Sequence, residues 1–286
     1  MAVRGKSINL FLMDGESNGR IKCSLTNWTG IAYKIPRTDI DRSKNIEHLN
    51  HNGVYFLFGT SENGEDVVYV GQARSRKNGN GILGRIVEPH PSIDYWTDAV
   101  ILTTRDDYFG PTEISYLENR FCNMAKEIGR YPVVNSNDPS PGNLTEEKES
   151  EMEEFIDYAL IVIGAMGYKL FTPIVNKKQN GKVSNEPILF MKRGEVDATG
   201  VRTTEGFAVL KGSKISPTIV KSCPENARKY RQKYATKISS DYVLTEDVLV
   251  SSPSAGAAFV GGASISGNEV WKTKEGIALK DVDCDM

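Results

Sequence analysis

Residues 53–71 read GVYFLFGTSENGEDVVYVG, and this stretch decides the fold. Gly53–Gly59 and Val67–Gly71 are runs of aromatic and β-branched residues, the composition that fits a pleated, half-buried surface. Between them stands Asn63-Gly64, the strongest short-range signal for a β-hairpin. The hairpin places Tyr55 on one strand and Tyr69 on the other. After it come a Gly/Arg/Asn loop, Arg74–Gly81, a short helix over Ile82–Glu88 and a third strand, Asp98–Thr104. In Thr112–Ile128 the apolar residues Ile114, Leu117, Phe121, Ala125 and Ile128 recur at helical spacing. Tyr131–Val134 and a loop over Asn135–Asn143 close the unit.

Outward from this unit the signals are simpler. Toward the N-terminus, Ile8–Met13 and Arg20–Leu25 flank the turn pairs Asp14-Gly15 and Asn18-Gly19, so 1–45 reads as a strand pair followed by an extended lead-in. Such a pair is marginal alone and is expected to add strands or a cover to the next domain. A long helix follows the unit over 143–171. Asn143 and Glu146 have capping-box spacing, and Met152, Ile156, Ala159, Ile163 and Met166 form its apolar stripe. Residues 172–193 lack periodicity and read as a linker. The remainder, 194–286, reads as a second small domain with a hairpin around Thr204-Glu205-Gly206 and a basic helix over Glu225–Lys237. A further helix starts at Ser252-Pro253 and ends at Gly261-Gly262. Trp271 is expected in a strand.

Net charge is −2, but it is unevenly spread. Residues 53–141 hold 8 Lys/Arg against 12 Asp/Glu, and 195–242 hold 9 against 5. The acidic part suits metal, while Arg228, Lys229, Arg231 and Lys233 of the basic helix suit phosphate. Two solvated surfaces are the plainer reading. No stretch approaches the roughly 18 apolar residues of a membrane span, and the first residues lack the apolar core of a signal peptide, so a cytoplasmic location is expected. The four cysteines form no Cys-x-x-Cys pair and read as reduced structural thiols.

Four features of the central unit carry chemistry if they converge. Strand tyrosines usually pack, but two on paired strands can bring both hydroxyls to one place and orient or deprotonate a water. Arg85, amid Ile82, Leu83, Ile86 and Val87, can offer a planar donor fork to a phosphate or simply snorkel over its helix. Glu118 lies on an apolar stripe, four residues after Ile114 and three before Phe121. A carboxylate there needs a partner, either an arginine or a hard cation such as Mg²⁺. Asn135 opens a turn-rich loop and reads alone as a turn residue. Beside a metal site it could hold a water or a substrate oxygen.

In order and placement these residues resemble the GIY-YIG nucleases: Gly53-Val54-Tyr55, then Tyr69-Val70-Gly71, an Arg in a helix, a Glu in a later helix and an Asn beyond it. The resemblance covers about 53–137. It implies an α+β fold, a small antiparallel sheet flanked by helices, with the nuclease domain over 46–142. It further implies Tyr55 and Tyr69 as the motif tyrosines, Glu118 as the protein's metal ligand for Mg²⁺ or Mn²⁺, Arg85 as the stabiliser of phosphate charge, and Asn135 as the late asparagine. His90 matches loosely the histidine some members carry. Arg74, in the preceding loop, is the alternative arginine and a contact for nucleic acid. The segment SPSAGAAFVGG with Trp271 resembles a small uncharacterised domain that follows such modules in bacterial proteins. The function expected is a metal-dependent DNA endonuclease, one strand per active site, its C-terminal domain aiding recognition. Double-strand cleavage then requires a dimer or two successive events. The alternative is a DNA-binding module or adaptor that keeps the fold without catalysis.

Overall fold

The computed structural model describes residues 5–75, 81–175 and 186–282. Part of the loop read over 74–81, part of the linker read over 172–193, and Cys284 lie outside them. The chain divides into two compact units, Met1–Pro173 and Ile174–Met286. Both are mixed α and β with antiparallel sheets.

The first unit is built on a six-stranded sheet. Its strands are β1 (Ile8–Leu12), β2 (Ile21–Leu25), β3 (Gly30–Pro36), β4 (Gly53–Thr60), β5 (Asp66–Ala73) and β6 (Asp98–Thr104), in spatial order β1-β2-β3-β6-β4-β5. The segment read as an extended lead-in thus contains β3, which pairs with β6 over seven residues from Gly30↔Thr104 to Pro36↔Asp98. The strands of 1–45 and those of 53–104 therefore share one sheet. β4 lies between β6 and β5, and its first seven residues are all buried, which explains an apolar run without alternation. The hairpin forms around Asn63-Gly64, with Gly64 at φ +74°.

Helices cover both faces. On one side α2 (Pro111–Ile128) and α3 (Glu146–Ala165) pack Leu117, Phe121, Phe155 and Ile163 against Val54, Phe56, Val70 and Leu102. On the other, α1 (Gly81–Ile86) and short 3-10 turns enclose Tyr33, Ile35, Tyr55, Leu57 and Ile101. The cap of α3 is Thr145, whose hydroxyl accepts from the Lys148 amide, rather than the Asn143 expected from capping-box spacing. The chain preceding Thr145 is held elsewhere, since Gly142 packs directly on the Thr112 backbone.

In the second unit a four-stranded sheet has the order β10-β9-β8-β7. Its strands are β7 (Leu189–Arg193), β8 (Val196–Thr203), β9 (Gly206–Val209) and β10 (Val248–Val250), with α4 (Glu225–Lys233) between β9 and β10. β7 lies inside the stretch read as linker. α5 (Pro253–Gly261) starts at a Ser252 cap and stops at Gly262, as its sequence signals indicate. Trp271 is not in a strand. It follows α6 (Gly267–Val270), and only Lys272 bridges to Phe190, before α7 (Leu279–Val282). Its indole fills the core against Phe207, 4.8 Å between ring centroids, and donates to the Pro253 carbonyl. No helix among the described residues is long and apolar enough to cross a membrane.

Candidate active site

Side chains alternate across a strand, and the hairpin register does the rest. Tyr55 lies opposite Gly71, so Tyr69, two residues earlier on β5, projects from the same face. The two rings stack with centroids 6.2 Å apart. Gly71 is what makes this possible: a Cβ there would lie 2.4 Å from Tyr55 Cζ and 2.5 Å from its hydroxyl oxygen. The Tyr55 ring passes over β5 where that strand has no side chain.

His90, buried, completes an aromatic corner, its ring 6.0 Å from that of Tyr55 and 5.1 Å from that of Tyr69. Its Nε2 is 3.2 Å from the Arg85 carbonyl oxygen. A carbonyl only accepts, so Nε2 carries the proton and Nδ1 is left as the acceptor. Burial, and secondarily Arg85, push the His90 pKa down and keep the ring neutral. Arg85, in the last turn of α1, holds a partly exposed ion pair with Glu88 at 2.6 Å.

Glu118 comes from the opposite side of the sheet. Gln72 follows Gly71, so its side chain points toward α2, and its amide donates to Glu118 Oε2 at 3.0 Å. The same amide exchanges hydrogen bonds with Ser115 Oγ at 3.1 and 3.2 Å. Glu118 is nonetheless near enough to be felt by the tyrosines of the other face. Its charge acts on Tyr55 and Tyr69, and Arg85 acts on all three.

The electrostatics are those of a desolvated site. Burial raises the Glu118 pKa, opposed by the Gln72 hydrogen bonds and Arg85. Burial raises both phenols as well, Tyr55 far more, and Arg85 pulls each back. The Tyr55 hydroxyl lies close to the Tyr69 phenol, yet it is sealed from solvent and has no partner at hydrogen-bonding geometry. Such an orphan costs about 1–3 kcal/mol and marks a place where a polar group belongs.

The structure thus brings Tyr55, Tyr69, Arg85, His90 and Glu118 together. Arg85, rather than Arg74, is the arginine that acts on both phenols and the carboxylate; Arg74 is exposed beyond the end of β5. Asn135 is placed differently from the reading that has it hold a water or substrate oxygen. Its Oδ1 accepts from the Val70 amide at 3.0 Å and its Nδ2 donates to the Val70 carbonyl at 2.6 Å. Beyond the Val68↔Val133 bridge, the carboxamide serves as one more rung on the edge of β5, pinning the backbone between Tyr69 and Gly71. Gln72 and Ser115 were not legible as site residues. Strand parity gives the side of Gln72, but only the packing of α2 gives it a carboxylate to hold.

The basic helix of the second unit is partly spent on its own fold. The Arg231 guanidinium donates to the carbonyls of Phe259, Ser216 and Val260 at 2.6, 3.0 and 3.1 Å. Arg228 donates to those of Val220, Cys223 and Lys221. Lys229 is exposed, and Lys233 is half-exposed with its ammonium 5.8 Å from the Tyr234 ring.

The first unit is therefore a six-stranded antiparallel sheet with a carboxylate, an arginine, a histidine and two phenols converging at its edge. Residues 189–283 match a family described as Domain of unknown function (DUF4357), which gives the C-terminal unit, β7 to α7, an uncharacterised domain type. No curated protein and no solved structure matches the chain.

Proposed function

We propose that this chain is a GIY-YIG-type endonuclease, hydrolysing DNA phosphodiesters one strand at a time with one divalent ion, Mg²⁺ or Mn²⁺. The observation that carries this reading is the convergence of Tyr55, Tyr69, Arg85 and Glu118 around an orphaned, buried hydroxyl. Among the described residues no three His, Cys, Asp or Glu side chains gather as a full metal cage. A single half-buried carboxylate, held by an amide rather than an ion pair, fits an ion that takes its other ligands from water and phosphate. When bound at Glu118, such an ion supplies positive charge to the phosphate and the leaving oxygen.

The chain's own groups divide the remaining work. Arg85 releases Glu88, an exposed pair of little net worth, and turns its fork to the phosphate oxygens. Tyr69, the more accessible and less perturbed phenol, takes the proton of the attacking water once it is itself ionised to the phenolate. Tyr55, too deeply buried to ionise readily, backs the Tyr69 phenol from inside the site. A phenol is a weak base near pH 7, so the rate rises with pH. Lys229 and Lys233 of the C-terminal unit assist in holding DNA.

Supercoiled plasmid incubated with Mg²⁺ or Mn²⁺, or with chelator, tests the reading. Metal-dependent nicking that Glu118→Ala abolishes is expected. Binding without cleavage by either protein points instead to a recognition module.

A further inference from the structure

Far along the same sheet from the tyrosines lies a second polar surface that the proposed reaction does not use. The register runs Phe11↔Lys22↔Tyr33↔Ile101↔Tyr55, one residue per strand on one face. Four strand spacings of about 4.8 Å put Phe11 about 19 Å from Tyr55. Between them Tyr33 is roofed by the turn carrying His48, whose Nδ1 is 3.1 Å from the Tyr33 hydroxyl.

Past that roof the surface opens. Two hollows of about 760 and 370 Å³ share Asn9, Ser24 and Arg105 and so form one continuous groove. Its cations are Lys22 and Arg105. Neither forms an ion pair or side-chain hydrogen bond among the described residues, whereas Arg20, Arg42, Arg85, Arg120 and Arg202 are each matched to a carboxylate. Two unneutralised cations facing one hollow leave a local positive potential, and His48 registers it: besides burial, Lys22, His51 and Arg105 all push its pKa down, against Glu47 alone. Phe11 stands 59% exposed at the groove wall, on the free edge strand of the sheet. Asn9 and Ser24 add neutral hydrogen-bonding groups, and the one carboxylate in the lining is Asp106, next to Arg105 in the chain.

Free cations, amide and hydroxyl groups and an exposed aromatic ring are the chemistry of a nucleic-acid backbone track with a stacking platform. A duplex hides the faces of its bases, whereas an unpaired strand offers them to a ring such as Phe11. We propose that this groove binds a single nucleic-acid strand, its phosphates on Lys22 and Arg105 and a base on Phe11. The proposal rests on the nuclease reading for its choice of polyanion. It adds that the unpaired part of a substrate runs from the tyrosine corner toward β1.

The test uses the full-length chain with chelator present, so that nothing is cut. Anisotropy of labelled single-stranded and hairpin-duplex oligonucleotides is followed over a salt series. Lys22→Gln with Arg105→Gln is expected to weaken single-strand binding about tenfold or more and to flatten the log–log salt slope by about 1.4, the effect of two lost phosphate contacts. Phe11→Ala is expected to weaken the single strand about fivefold or more and spare the duplex. Wild-type binding by both variants overturns the proposal, as does a wild-type chain that binds no single strand. If the double variant melts early, exposed Arg105→Gln alone carries the test, with about half the change in slope. Plasmid nicking separates the two ideas. Cleavage by wild type with unaltered binding by the groove variants sinks the groove and leaves the nuclease. Lost single-strand binding in a chain that never cuts does the reverse.

Discussion

Gly71→Ala probes the site through its steric core. The added Cβ would sit 2.4 Å from Tyr55 Cζ, 2.5 Å from its hydroxyl oxygen and 2.9 Å from Cε1. Ordinary carbon contacts need about 3.5 Å, so strand and ring must part by about 1 Å. The ring has no easy escape, because it is fully buried beside Tyr69 and His90. Overpacking of this kind costs about 1–3 kcal/mol. For a unit of this size each kcal/mol lowers the melting temperature by about 2–4 °C, giving a loss of about 2–12 °C. A 1 Å displacement of a reacting group costs about 100-fold in rate, which is the expected loss of nicking. Gly164→Ala is the control: it is an exposed helical position with nothing within 4 Å, and the change should stabilise by about 0.5–1 kcal/mol. Thermal melts followed by circular dichroism report both. A Gly71→Ala chain that melts with wild type would refute the placement of Tyr55 across β5, whatever the function.

Four further outcomes are expected. Asn135→Ala removes both side-chain rungs from Val70 and should cost about 1–3 kcal/mol in urea unfolding; Asn135→Asp, which can accept but not donate, should recover only part of it. Glu118 is a carboxyl whose folded pKa lies above its unfolded value, so the native state binds its proton more tightly and stability falls as pH rises through that interval. Glu118→Gln should therefore melt above wild type near pH 7.5, with the gain gone below the usual carboxylate range of about 4.3. Mg²⁺ should raise the wild-type melting temperature and leave that of Glu118→Gln unchanged; an equal rise in both would remove the metal from Glu118. Arg231→Ala strands three carbonyls and should destabilise the second unit by about 2–4 kcal/mol, read by urea-dependent proteolysis, even though the residue sits on a helix that looks made for phosphate.

How much of this could be read without coordinates depends on how local each cause is. The hairpin of β4 and β5 was legible because period-two side chains and an Asn-Gly turn are properties of neighbouring residues. The same holds for β6, for α2 and for α5 between Ser252 and Gly262. β3 was hidden in GIAYKIP, since a strand buried on both faces shows little alternation and its partner β6 lies 60 and more residues away. β7 was lost in a stretch without periodicity, and Trp271 looked like a strand residue although its role is to fill a core.

The candidate site divides along the same line. The sequence by itself determined which residue types stand in which order, and hence that Tyr55, Tyr69, Arg85 and Glu118 were worth bringing together. Only the tertiary structure decided that Gly71 lets the Tyr55 ring cross β5, that Gln72 holds Glu118, that Asn135 pins Val70 and that Arg231 turns inward. Those facts belong to pairs of groups far apart in the chain, and distance between such groups is fixed by packing, which no single stretch of sequence contains.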